Sequence, residues 1–126
     1  MISNFLLYII AVILFGWGTA HIIPTKKVVS GFINISDDNK RIITMEWVIE
    51  GVVLIFISVL ISVVTYIELK NPVSIAIYWM VFGILNTLSI VSIFTGARNK
   101  FIMFKLCPFV FSGSSIAIII AVILLP

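Results

Sequence analysis

Long apolar runs, broken by short clusters of charge, Asn, Gly and Pro, set the pattern of this chain. In stretches such as Ser115 to Leu125 the apolar residues leave no polar face, which suits a helix surrounded by lipid rather than one resting on a soluble core. A membrane-spanning helix needs about 20 mostly apolar residues, because the hydrocarbon layer is about 30 Å thick and each residue rises about 1.5 Å. Four segments meet this length: Phe5 to Ile23, Trp47 to Ile67, Val73 to Thr95 and Leu106 to Leu125. Pro24 ends the first, since it cannot continue the helix ladder. Asn71-Pro72 reads as an N-cap followed by proline at the first helical position of the third. Cys107-Pro108 reads as the opening of the fourth. The alternating ten-residue segments of a spanning β-barrel are missing from the pattern. The expected fold is all-α, an integral membrane bundle of four transmembrane helices forming a single domain over residues 1–126, with no linker between its halves.

Composition agrees. Of 126 residues, 62% are hydrophobic and 10% charged, and the mean hydropathy is +1.30. Soluble domains carry about 25% charge, so this excess of apolar side chains cannot be hidden in a core of this size. Disordered, collagen-like and disulfide-rich classes are excluded on the same figures. Met1-Ile-Ser-Asn lacks the positive start of a secretory signal, so the first span is expected to stay in the mature protein.

The charges order the spans. Lys26, Lys27, Lys40, Arg41, Arg98, Lys100 and Lys105 lie in the first and third loops, and Lys70 alone lies on the other side, which accounts for all 8 basic residues. This excess predicts a cell-membrane protein with both termini outside and the two long loops in the cytoplasm. The net charge of +3 is therefore a topology signal with weak attraction to anionic lipid, and no nucleic-acid partner is read from it.

Small residues suggest where helices meet. Gly113, Ala117 and Ala121 recur every fourth residue, as do Gly16 and Ala20, which predicts contact between the first and fourth spans. Gly83, Asn86, Ser89 and Ser92 on the third span, and Ser58, Ser62 and Tyr66 on the second, are expected to face inward. Asn86, an amide near mid-membrane, must find a partner, either across a helix seam or in a ligand. Ser36 to Arg41 is rich in cap-forming residues and predicts a helical extension of the second span, with Asp37 and Arg41 paired.

Only the loop-side end of the first two spans collects several chemically capable side chains. His21 lies near the end of the first span. Glu46 and Glu50 are one helical turn apart on the second and share a face, where two like charges call for a proton, a cation or a basic side chain such as His21, Lys26, Arg41 or Arg98. Glu46 sits beside Trp47 at a depth where interfacial charge is ordinary, whereas Glu50 is one turn deeper and is a functional candidate by position. Trp17 and Trp47, with Tyr78 and Trp79, could line an apolar pocket. Candidate ligand contacts are thus His21, Glu46, Glu50, Trp17, Trp47, Arg98 and Asn86. With a single histidine the carboxylates make no convincing metal set, no cofactor is named, and Cys107 alone gives neither a disulfide nor a redox pair.

The segment Gly16-Trp-Gly-Thr-Ala-His-Ile-Ile-Pro24, closing the first of four spans, resembles the DoxX-like group of small bacterial four-helix membrane proteins. The resemblance covers most of the chain as topology and the end of the first span as sequence. It implies a class in which some members have been linked to quinone-dependent sulfur oxidation. No catalytic residue is carried over, because neither Glu46, Glu50 nor Lys105 to Pro108 matches a motif of that group. Three functions follow as expectations. The first is binding or carriage of a small amphipathic or cationic ligand at the His/Glu cluster; the second is an enzyme acting on a lipid or quinone. The third is an accessory subunit that binds another membrane protein; a homodimer or a larger membrane complex is expected for a chain this small.

Overall fold

The computed structural model describes residues 1–98 and 100–125. Among them 84% are helical and none is in a strand, and four helices are long and apolar enough to cross a membrane. In chain order these are α1 (Ile2–Ile22), a short α2 (Thr25–Ser30), α3 (Asp37–Ile67), α4 (Pro72–Thr95) and α5 (Ile102–Ile123), with α2 as the one short helix.

Local chemistry explains most of the boundaries. α1 stops before Pro24, and the Thr25 hydroxyl donates back to the carbonyls of His21 and Ile22 at 3.0 and 2.7 Å, covering groups that a helix end leaves unpaired. α3 begins where Ser36 accepts from the Asn39 backbone N–H at 3.2 Å, as the cap-rich loop predicts. The acidic and basic residues of this turn pair one position closer than expected, Asp37 with Lys40 and Asp38 with Arg41, each at 3.8 Å. At 31 residues α3 is about 46 Å long, so about ten residues extend beyond a hydrocarbon layer of about 30 Å. α4 starts as read from sequence, with the Asn71 side-chain Oδ1 accepting from the Val73 backbone N–H at 2.9 Å and Pro72 in the first turn. α5 differs: it begins at Ile102, so Pro108 lies inside the helix instead of opening it.

The chain divides into two compact units, Ala11–Leu60 and Met1–Ile10 with Ile61–Pro126, and α1 and α3 each contribute to both. In the second of these, α4 and α5 run against one another and Tyr78, Leu85, Phe111 and Ile118 are fully or almost fully buried. Hydroxyls fasten its helices. Ser89 donates to the Pro108 carbonyl at 3.1 Å, Ser74 to that of Glu68 at 2.6 Å, and Thr65 shares a hydrogen bond with the Tyr78 hydroxyl at 2.9 Å. The inward stripe at the end of α3 therefore passes through Thr65, while Tyr66, expected inside, is 84% exposed. Asn86 satisfies its amide on its own helix, donating to the Phe82 carbonyl at 2.7 Å.

In the unit Ala11–Leu60, Ser58 on α3 donates to the Ala11 carbonyl on α1 at 2.7 Å. Two glycines meet across the same pair of helices. A Cβ built on Gly18 would lie 2.6 Å from the Gly51 carbonyl oxygen, and one on Gly51 would lie 2.7 Å from that of Gly18. Only hydrogen fits at either position. Gly16 and Gly113, chosen from sequence as seam residues, face open space instead. On α5 the buried stripe follows Phe111, Ser114, Ser115, Ile118 and Ala121, so of the regularly spaced small residues Ala121 lies in it and Gly113 does not.

Candidate functional site

The site begins with the end of α1. Because Pro24 closes the helix, the carbonyl of His21 needs donors from outside the ladder, and it receives two: the Thr25 hydroxyl and the indole N–H of Trp47 on α3. The second of these ties α3 to the end of α1. Glu50 and Gly51 follow Trp47 by three and four residues and so share its face, as Gly18 and His21 do on α1. Gly51 against Gly18 lets the backbones meet, and Glu50 is carried to the imidazole.

His21 is fully buried, and its side chain is held from several sides. Nδ1 lies 2.8 Å from the Trp17 carbonyl, one turn back along α1, and a carbonyl can only accept, so Nδ1 carries a proton. Nε2 then faces Oε1 of Glu50 at 3.6 Å. The ring stands edge-on to Trp17, with centroids 5.9 Å apart, and lies tilted over Trp47 at 4.7 Å. Glu50 differs from its partner in being one-third exposed, at 33%. One side of its carboxylate meets the imidazole and another remains reachable.

This arrangement has two chemical properties. With Nδ1 engaged by the Trp17 carbonyl, Nε2 is the ring atom that meets the Glu50 carboxylate. An indole also closes each end of the imidazole, with Trp47 fully committed through its N–H. The Trp17 N–H is buried and has no acceptor among the described residues, which costs about 1–3 kcal/mol relative to a paired group.

Of the residues expected at the site, the structure brings together His21, Glu50, Trp17 and Trp47. Glu46 is exposed. Asn86 and Arg98 belong to the other unit, the first bonded along its own helix and the second exposed after α4. Tyr78 and Trp79 belong there as well. Sequence reasoning missed Gly18, Gly51 and the Thr25 hydroxyl. Pro24 was the available signal for the last, since a proline-terminated helix must find donors for its final carbonyls. No family model, curated protein or solved structure matches this chain.

Proposed function

We propose that the chain is a multi-pass integral membrane protein that binds a small amphipathic cation at Glu50, near the membrane face on which its basic loops lie. The basic excess of the loops supports a cytoplasmic position for that face. The observation that carries the reading is the pairing of a part-exposed carboxylate with a wholly buried imidazole 3.6 Å away. An ionised carboxylate within a span calls for a counter-charge, and a cation arriving on the open side of Glu50 would supply one. The neighbouring indoles add apolar surface, and they favour a cation through their ring faces.

The test uses dodecyltrimethylammonium, whose charge does not change with pH, titrated into the purified protein in a non-ionic detergent. Quenching of tryptophan emission and thermal stabilisation should both saturate. Glu50→Gln should weaken binding at least tenfold, and Glu46→Gln should leave it unchanged. Equal affinity of the wild type and Glu50→Gln would overturn the reading.

A second reading, an enzyme acting on a lipid or quinone with Glu50 as proton donor or acceptor, is favoured by the buried Trp17 N–H, which a ligand carbonyl would satisfy. A carbonyl-bearing lipid or quinone that co-purifies with the wild type and is lost from Trp17→Phe would support it over the first.

A further inference from the structure

Two grooves flank one ridge of α3 in the unit Ala11–Leu60. One runs along α3 itself, past Lys40, Arg41, Thr44, Met45, Val48 and Ile49. The other lies where the end of α1 and α2 meet the start of α3, with Lys26 and Lys40 at its rim and Ile22, Thr25 and Val29 in its walls. Lys40 and Thr44 line both. Their volumes, about 460 and 600 Å³, are in the range that admits a ligand.

The order of residues along the ridge is informative. Lys40, Thr44 and Val48 follow one another at helical spacing, as do Arg41, Met45 and Ile49, so each row passes from charge to apolar surface within about 12 Å. That is the polarity gradient of an amphiphile lying along the helix with its head toward the loop. The charges at the head end are positive and loosely held. Lys26 is exposed, and Lys40 and Arg41 meet Asp37 and Asp38 at 3.8 Å, with both carboxylates almost fully exposed. Such surface pairs are weak and give way readily to a competing anion. Lys26 and Lys27 on the six-residue α2 point outward while Val29 is buried, which sets α2 as an interfacial segment bringing its lysines to headgroup depth.

We propose that this ridge and its two grooves hold an anionic phospholipid of the surrounding bilayer. The phosphate sits between Lys26 and Lys40, with Arg41 beside it, and the acyl chains follow Met45, Val48 and Ile49. The apolar walls select a lipid over a free phosphate, and the basic rim selects an anionic headgroup over a zwitterionic one. The inference does not depend on ligand binding at Glu50.

The experiment incubates the purified full chain in detergent with equimolar phosphatidylglycerol and phosphatidylcholine and reads retained lipid by native mass spectrometry. The wild type should retain phosphatidylglycerol preferentially. Replacing Lys26 and Lys40 together by glutamine should reduce that preference by about fivefold for each lysine, and Lys100→Gln should leave it intact. The exposed single variant Lys26→Glu should lower it as well, and it guards against a double variant that does not fold. No preference in the wild type, an equal preference in the Lys26 and Lys40 variants, or an equal loss in Lys100→Gln would overturn the proposal. Displacement of the lipid by soluble glycerol phosphate would also overturn it, in favour of a simple ion site.

Discussion

At the scale of single residues, the sharpest contrast is between two kinds of glycine. A methyl group on Gly18 or Gly51 would press on backbone oxygen at 2.6 or 2.7 Å, and backbone cannot rotate out of the way as a side chain can. Gly18→Ala should therefore destabilise the protein by about 1–3 kcal/mol, the usual range for overpacking, as measured by helix loss in a denaturing-detergent titration. Gly16→Ala and Gly113→Ala meet nothing within 4 Å, and should be neutral or stabilising by up to about 1 kcal/mol through helix propensity. Loss of stability in all three alike would contradict this assignment. The contrast also shows what the sequence could carry. His21 and Glu50 were legible because an ionisable group stands out in an apolar run. Gly18 and Gly51 were not, because a rule built on two small residues in one helix misses a seam made by one glycine from each of two helices. Trp47 was a candidate for ligand contact from its place beside the carboxylates, whereas its hydrogen bond to the His21 carbonyl depends on a neighbour 26 positions away.

At the scale of the helix, boundaries were readable wherever they are written in local chemistry. Asn71-Pro72 and Ser36 each announce a start because a side-chain oxygen must accept from a backbone N–H two or three residues on. Asn71→Ala should accordingly cost about 1 kcal/mol, seen as a lower apparent melting temperature by circular dichroism, while Asn71→Ser should recover most of it. The start of α5 was missed for the complementary reason. Phe101 offers no side-chain cap, and Lys105 interrupts the apolar pattern without interrupting the helix. The Thr65 and Tyr78 hydroxyls fasten α3 to α4 at 2.9 Å, and Tyr78→Phe should cost about 0.6 kcal/mol, the mean for such bonds within membranes. A loss above 2 kcal/mol in the same denaturing titration would mean that the hydroxyl does more than join two helices.

For the molecule as a whole, a single crossing of the membrane by α3 predicts that Ser36 and Asn71 lie on opposite sides. With Cys107 replaced by serine to remove background, a cysteine at Asn71 should react with an impermeant thiol reagent in intact cells, and one at Ser36 only after the cells are opened. The reverse pattern would move the face carrying Glu50 to the outside, and reaction of both in intact cells would contradict the span count. The glycine contact also constrains how α1 and α3 can move while they stay paired. Sliding one along the other by a single residue would drive the side chain of Ile22 or Ile55, which already border the contact, into a space sized for hydrogen. The seam acts as a detent: it holds the register of the two helices against gradual translation.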